Sequence, residues 1–134
     1  MLKQRKLHRK LLTLILLTVA CVCGDTLASA ASPTGRWSGG WSSESSGHKG
    51  PLRARIRPIG PDTYRALFVG RFAGVVPFVY PAKLQRVPGT SHCYTSSQRL
   101  PLLGTYRMTA SVSSNRFYAR FRGKKDVGTF DMSR

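Results

Sequence analysis

The sequence predicts an all-β protein, an antiparallel meander of about eight strands that forms a small β-barrel. Three observations support this fold class. After residue 30, apolar and polar residues alternate along most of the chain, and no helical period replaces them. Short segments rich in Pro, Gly, Ser and Asn separate the alternating stretches. One hairpin pattern also occurs twice. A sheet with a single apolar face must curl to bury that face, which predicts a barrel.

The first thirty residues have the composition of an export signal. The segment MLKQRKLHRK carries five Lys or Arg, and fourteen uncharged residues follow it. That run is shorter than the ~20 residues of a membrane-spanning helix, which disfavours an uncleaved anchor. Ala28 and Ala30 form a small-x-small cleavage motif, so we predict a signal peptide over residues 1–30. The alternative is a lipoprotein acylated at Cys21, but Thr18 fits that motif poorly.

Cleavage after Ala30 would leave a single exported domain, residues 31–134, without a transmembrane segment. Export here covers secretion, the periplasm and the cell envelope. Of the 22 basic and 5 acidic residues of the chain, 17 and 4 lie in this domain, giving it a net charge of +13. Thirteen of the cations are Arg, which favours forked contacts to carboxylate, sulfate or phosphate. Cys93 is the domain's single cysteine, so packing and not a disulfide must stabilise it.

The first predicted strand contains the two tryptophans of the chain. Trp37 and Trp41 are four residues apart in GRWSGGWS and therefore lie on one face of a strand. We interpret them as residues of the core or of the barrel mouth. A stacking platform for sugar rings is the alternative.

Two hairpins follow the same pattern. Leu52, Ala54 and Ile56 alternate with arginines, and after a turn the series Tyr64, Ala66, Phe68, Gly70, Phe72 alternates again. Met108, Ala110 and Val112, then Phe117, Ala119, Phe121 and Gly123, repeat this arrangement. The repeat predicts two equivalent hairpins that differ only in the length of their loops.

The remaining segments are less regular. The stretch VVPFVYPAKLQ predicts a strand with Val76, Phe78 and Tyr80 on one face, but Pro77 and Pro81 lack the N–H groups that a neighbouring strand needs. We therefore expect the barrel to be incomplete or split near residues 75–82, with this strand at an edge or bulged. The stretch CYTSSQRLPLLG predicts an irregular strand at best, and VGTFDMS predicts the last strand.

These elements carry a resemblance to known barrels. The triplet Gly35-Arg36-Trp37 opens the first strand, and hairpins of the form aromatic-x-Gly-x-aromatic follow, as in residues 68–72. This arrangement resembles the start of lipocalin and avidin-type barrels and extends over most of residues 35–134. The resemblance implies a small up-and-down barrel. It carries over no ligand-binding residue, because the later lipocalin signatures and the polar ligand contacts of avidins have no counterpart here.

Residues suited to catalysis are few in the domain. General acid–base catalysis needs a positioned pair of titratable groups. The four acids, Glu44, Asp62, Asp126 and Asp131, lie mostly in or beside turns, and two histidines, His48 and His92, lie in loops. No spacing typical of a metal site or a phosphate-binding loop is present. We therefore expect no enzyme, no metal and no cofactor. Cys93 is interpreted as buried and inert, with pairing to another chain or a reactive thiol as alternatives.

Arginines at alternate positions of the two hairpins form the candidate binding site. They lie opposite the apolar residues and should project outward: Arg53, Arg55, Arg57, Arg65, Arg71, Arg107, Arg116, Arg120 and Arg122. Like charges that face each other across strands are destabilising, so this arrangement favours counterions or an anionic partner. The candidate partners are acidic polysaccharide, lipid head groups and nucleic acid. A solvated basic exterior that only keeps the domain soluble is the alternative.

Two functions remain open from the sequence. One is an exported binding domain that uses its Arg-rich exterior, and the other is a carrier of a small apolar ligand inside the barrel. A cavity distinguishes them, because a carrier needs a dry pocket of several hundred cubic ångströms. With only 104 residues in the domain, we expect large side chains to fill the interior.

Overall fold

The computed structural model describes residues 31–134. The predicted signal peptide, its cleavage site after Ala30 and the alternative acylation site at Cys21 lie outside the described residues. Within residues 31–134, no helix is long and apolar enough to cross a membrane.

The described chain is an eight-stranded antiparallel β-barrel, as the sequence predicts. The strands follow one another around the barrel in chain order, and β8 pairs with β1 to close it. Their bounds are β1 Gly35–Ser43, β2 Lys49–Gly60, β3 Thr63–Phe72, β4 Val76–Arg86, β5 Cys93–Leu100, β6 Gly104–Val112, β7 Arg116–Arg122 and β8 Val127–Ser133.

Both predicted hairpins form, but they differ in another way than expected. The turn of the β2–β3 hairpin contains residues 61–62 and that of the β6–β7 hairpin contains residues 113–115. The first hairpin is longer because its strands have 12 and 10 residues, against 9 and 7 in the second. The prediction that only loop length differs is therefore wrong: residues 57–60 continue strand β2 and do not form a loop.

Strand β5 is also more regular than its sequence indicates. Residues 93–100 pair with β6 along their whole length, from Cys93↔Ser111 to Leu100↔Gly104. The expectation of an irregular strand is therefore wrong. The pattern looked irregular because Ser96 occupies an inward position that elsewhere holds an apolar residue. A buried serine hides the apolar alternation without disturbing the backbone ladder.

The barrel is closed, so the expectation that it is incomplete or split near residues 75–82, with β4 at an edge or bulged, is wrong, although the ladder between β4 and β5 is short. Strand β4 pairs with β3 along its full length, including Arg71↔Pro77 and Leu67↔Pro81. With β5 it pairs only at Gln85↔Thr95 and Arg86↔Tyr94. Since residues at odd positions of β4 direct their backbone groups toward β5, the two prolines remove donors from that side. The barrel is closed, and this interface, which we call the seam, is its weakest ladder.

The two ends of the barrel differ. The lower end carries residues 31–34 and the β2–β3, β4–β5 and β6–β7 loops, and the mouth carries the other four loops. Ten large side chains are almost completely buried, most of them in the lower half: Trp37, Leu52, Ile56, Phe68, Leu84, Tyr94, Met108, Val112, Phe117 and Met132. Both tryptophans of β1 face inward, as predicted, with Trp37 in this core and Trp41 nearer the mouth.

Residues 31–34 seal the lower end. The indole N–H of Trp37 donates to the Pro33 carbonyl at 2.8 Å, and the Tyr94 hydroxyl donates to the Ala31 carbonyl at 3.0 Å. The Arg134 guanidinium lies 4.2 Å from the ring centroid of Trp37 and donates to the Ser32 and Thr34 carbonyls. Access to the interior is therefore from the mouth and the upper part of the seam.

Candidate functional site

The upper half of the barrel contains a cavity of about 340 Å³ that opens at the mouth. Strands β1, β3, β4, β5, β6, β7 and β8 and two of the mouth loops contribute its lining: Trp41, Phe72, Phe78, Val79, Tyr80, Leu100, Leu103, Tyr106, Phe121, Asp126 and Phe130. The expectation of a completely filled interior is therefore wrong. Side chains fill the lower half, but they leave the upper half hollow.

Three glycines, each beside an aromatic ring of the cavity wall, create this space. A Cβ atom on Gly123 would lie 2.5 Å from the Tyr106 ring, and one on Gly70 would lie 2.5 Å from the Phe78 ring. Gly128 faces the Phe121 ring at the same distance. Each ring lies against the barrel wall in the place of a missing side chain. Gly70 and Gly123 are the glycines that end the repeated hairpin pattern, so the repeat positions cavity walls as well as core residues.

Aromatic contacts fix the rings of the cavity relative to one another. The Trp41 ring lies 5.5 Å from Phe78 in an edge-to-face arrangement and 5.8 Å from Phe72 in a stacked one. Phe130 lies 5.1 Å from Phe121. The Trp41 indole N–H donates to the Arg71 carbonyl at 3.1 Å. Such contacts hold bulky side chains in place, so these rings define the shape of the cavity.

A few polar groups interrupt the apolar lining. The buried hydroxyl of Tyr80 lies near that of Ser96, but neither makes a hydrogen bond of good geometry within the described chain. Burial raises the pKa of Tyr80 to about 12, and burial also raises the pKa of Tyr106. Asp126 lies at the mouth and accepts a hydrogen bond from the Ser43 hydroxyl. The cavity thus offers neutral phenol groups inside and one carboxylate at its rim.

The residues of this cavity are not evident from the sequence. Large side chains were expected to fill the interior, and no role was predicted for Leu100, Leu103 or Tyr106. The usable signal was the glycine at positions 70, 123 and 128, each beside an aromatic residue on the neighbouring strand. That pairing depends on strand register, which the sequence does not display.

All nine candidate arginines are exposed, as their alternation predicts, but they do not form one surface. The β2–β3 hairpin and the β6–β7 hairpin lie on opposite sides of the barrel, because two strands separate them in each direction. The first group contains Arg53, Arg55, Arg57, Arg65 and Arg71. The second contains Arg107, Arg116, Arg120 and Arg122.

The second group is partly neutralised. Arg116 binds both carboxylate oxygens of Asp131, at 3.0 and 2.8 Å, and this contact holds the pKa of Asp131 below its usual value. Arg120 lies 3.2 Å from a carboxylate oxygen of Glu44. Arg107 and Arg122 face each other across the β6–β7 ladder. Within residues 31–134, neither of these last two arginines forms an ion pair.

The first group carries no ion pair among the described residues. Arg57 faces Arg65 across the ladder, and Arg65 in turn faces Lys83. Arg36, which the sequence analysis placed outside the candidate site, faces Arg55 and belongs to the same surface. We call this surface, made of Arg36 and the five arginines of the β2–β3 hairpin, the basic surface.

The other residues considered in the sequence analysis form no cluster. Cys93 is a half-buried thiol at the start of β5, and His92 precedes it in an exposed loop. His48 contacts the Phe72 ring at the mouth, with 4.7 Å between the ring centroids. Among residues 31–134, no three His, Cys, Asp or Glu side chains lie close enough to hold a metal ion.

The chain matches no protein-family model, no curated protein and no solved structure.

Proposed function

We propose that this protein is an exported, non-enzymatic binding domain that holds a small apolar ligand in the upper half of its barrel. The observation that supports this proposal is the cavity of about 340 Å³ lined by aromatic and aliphatic side chains. Ligand pockets typically measure roughly 300 to 1,000 Å³ and are mainly apolar with a few polar groups. The cavity has this composition and lies near the lower limit of this size range.

The lining restricts the chemistry of the ligand. Its interior side chains are uncharged, and the ring faces of Trp41, Phe78 and Phe121 favour an aromatic or aliphatic group. The Tyr80 hydroxyl is buried without a well-formed hydrogen bond, which is costly unless a ligand or water provides a partner. We therefore propose a neutral ligand with an apolar body and one oxygen that accepts a hydrogen bond from Tyr80.

A fluorescent probe tests this function. N-phenyl-1-naphthylamine is neutral and apolar, so the strong positive charge of the domain does not attract it, and it fluoresces more strongly in apolar surroundings. We expect the mature domain to bind it. Gly123→Ala should weaken this binding severalfold, because the atoms nearest to the new Cβ all belong to the Tyr106 ring, which would be displaced into the cavity.

Gly60→Ala is the matched control. Its Cβ would have room, with Thr63 as its nearest neighbour at 4.0 Å, and it lies at the lower end of the barrel. It should leave probe binding unchanged. Adding Tyr106→Leu to Gly123→Ala should restore binding, because the smaller side chain leaves space again. No probe binding by the unmodified domain, or equal loss in both alanine variants, would contradict the proposal.

A second candidate function, the binding of a soluble anionic polymer, is favoured by the basic surface. Its arginines lack ion-pair partners among the described residues, and several face one another across strands. An acidic polysaccharide or a nucleic acid would relieve this repulsion. Such binding depends steeply on salt because it releases counterions.

Chromatography on immobilised heparin tests the second candidate. Replacing Arg53, Arg55 and Arg57 with Ser should lower the salt concentration at which the domain elutes. The matched control replaces Arg99, Arg107 and Arg122 with Ser. It removes the same charge from the other side of the barrel. If both triple variants elute together, retention reflects net charge alone and the basic surface is not a binding site.

A further inference from the structure

We propose that the mouth of the barrel docks on an anionic lipid surface, with Val75 and Leu102 inserted among the lipids. This inference adds a site of action to the proposed function, but it does not depend on an occupied cavity. Three features of the mouth support it: exposed apolar side chains, a strained backbone that presents one of them, and surrounding cations.

Exposed apolar side chains are concentrated at the mouth. Nine large hydrophobic residues are exposed in the described chain, and five of them lie in or beside two mouth loops: Phe72, Val75, Val76, Leu102 and Leu103. Val75 is 77% exposed and Leu102 is 105% exposed, the two highest values among the nine. Phe72, which precedes the β3–β4 loop, and Leu103 in the β5–β6 loop both line the cavity. Two apolar tips therefore project from the open end of the barrel.

The backbone at one tip is strained. Leu102 has a φ of 65°, in the left-handed region, where a side chain with a Cβ costs about 1 to 2 kcal/mol. Glycine is the usual residue at such a position. Leu102 thus combines an unfavourable backbone with a side chain that contributes no burial in the isolated domain. Ala73 in the other loop has a φ of 51°. Residues held in such conformations are concentrated at functional sites.

Cations surround the apolar tips. Arg99 and Lys124 lie against the β5–β6 loop, where both border a shallow surface pocket with Leu102 and Leu103. Arg71 immediately precedes Phe72, and Lys49, Arg122 and Lys125 lie at the ends of strands or in loops of the mouth. Of the two acids at this end, Glu44 is held by Arg120. The net charge of the mouth is therefore positive.

This combination favours a lipid surface over other anionic partners. A nucleic acid or polysaccharide would use the cations, but it would leave Val75 and Leu102 in water. An anionic bilayer offers negative head groups to Arg99 and Lys124 and an apolar layer to the two tips. Docking in this orientation also directs the open cavity toward the acyl chains, where an apolar ligand is found.

Co-sedimentation with vesicles tests the proposal. The mature domain should bind vesicles that contain phosphatidylglycerol and phosphatidylcholine, and it should bind pure phosphatidylcholine far more weakly. Val75→Ser with Leu102→Ser should reduce affinity for the anionic vesicles by roughly tenfold or more, since two apolar groups no longer insert. Ile59→Ser with Leu67→Ser is the matched control, because both side chains are exposed but lie away from the mouth. It should change affinity less than twofold.

The contribution of charge is tested in the same way. Arg99→Ser with Lys124→Ser should reduce affinity by about fivefold for each cation, which corresponds to ~1 kcal/mol per charge near an anionic surface. Arg57→Ser with Arg65→Ser, at the lower end, should have a smaller effect. Equal losses in the two charge variants, or equal binding of the two apolar variants, would overturn docking through the mouth.

The fluorescent probe separates this proposal from the proposed function. Neither Val75 nor Leu102 lines the cavity, so their double variant should still bind N-phenyl-1-naphthylamine. Retained probe binding with unchanged vesicle binding would refute the docking proposal alone. Vesicle binding by a domain that never binds the probe would refute the proposed cavity function and leave docking supported.

Discussion

At the scale of a single residue, Arg134 holds together several segments at the lower end of the barrel. Its guanidinium donates to the carbonyls of Ser32, Thr34 and Ser114 and stacks on Trp37. We expect Arg134→Ala to lower the free energy of unfolding by about 1 to 3 kcal/mol, since these contacts are mostly exposed and each contributes modestly. Urea denaturation measures this change. Arg99→Ala is the control and should stay within about 0.5 kcal/mol of the unmodified domain; a similar loss in both variants would contradict a specific role for Arg134.

Leu102 allows a second prediction at this scale. Leu102→Gly removes the strain of a φ of 65° and loses no buried surface, while glycine adds backbone entropy to the unfolded chain. We expect the free energy of unfolding to remain unchanged or to rise by up to about 1 kcal/mol. Val69→Gly, at an exposed and regularly paired position of strand β3, should instead lower it by about 1 kcal/mol or more, because glycine weakens a strand. Thermal or urea denaturation compares the two, and a clear destabilisation by Leu102→Gly would show that the loop conformation is not strained.

The two hairpins have different roles at the scale of elements. Phe68 in β3 is fully buried in the filled half, where it contacts Phe117, Tyr80 and Phe130. Phe121 in β7 holds the equivalent place in the sequence pattern but lines the cavity. The same pattern therefore produces a core residue in one hairpin and a wall residue in the other.

Truncation of these rings tests that difference. Phe68→Ala should lower the free energy of unfolding by about 3 to 5 kcal/mol, the usual range for a buried aromatic residue. Phe121→Ala should cost less, about 2 to 3 kcal/mol, because one side of the ring already faces open space and fewer contacts are lost. Denaturant titrations of both variants measure the difference. A greater loss for Phe121→Ala would mean that the upper half is packed like the lower one.

The seam shows how two residues of strand β4 affect the wall of the cavity. Pro77 and Pro81 lack N–H groups on the side of β4 that faces β5, and the ladder forms only at Gln85 and Arg86. Val79 and Leu100, on the two sides of the unpaired part, both line the cavity. The seam therefore places a weakly bonded wall next to the cavity.

At the scale of the whole molecule, three tyrosines make the free energy of unfolding depend on pH in the alkaline range. Burial raises the pKa of Tyr80 to about 12, and burial is also the main cause of the raised pKa of Tyr94 and Tyr106. The pKa of the folded state lies above the unfolded value near 10, so the folded protein keeps the phenol proton at a pH where the unfolded chain loses it. The stabilisation from the neutral phenol is therefore fully present below pH 10 and is lost as the pH rises toward 12. We expect the free energy of unfolding to fall between pH 10 and 12, by up to about 3 kcal/mol from Tyr80 alone.

A Tyr80→Phe variant checks this pH dependence. Without the ionisable hydroxyl, the variant should lose less stability over the same pH interval, and its urea denaturation curves at pH 9 and pH 11 should lie closer together. Equal pH dependence in both proteins would show that the Tyr80 hydroxyl is accessible to water in the folded state.

Much of the fold can be predicted from alternation and turn chemistry. The eight strands, the inward tryptophans, the two hairpins and the weak ladder beside Pro77 and Pro81 all depend on local patterns. Strand β5 was predicted poorly, because a buried Ser96 obscures the pattern. The cavity could not be predicted, because it depends on which ring on one strand meets which glycine on the next. The grouping of the arginines also depended on the closure of the sheet.

The sequence by itself determined the fold class, the inward and outward faces of most strands and the positive charge of the exterior, because each of these depends on residues close together in the chain. Only the tertiary structure decided that Arg36 joins the arginines of the first hairpin, that the second hairpin lies on the opposite side and that Val75 and Leu102 lie at the same end of the barrel. Barrel closure and strand register bring together residues that are distant in sequence. The Tyr106 ring over Gly123 illustrates this most directly, since this wall of the cavity depends on the register between β6 and β7.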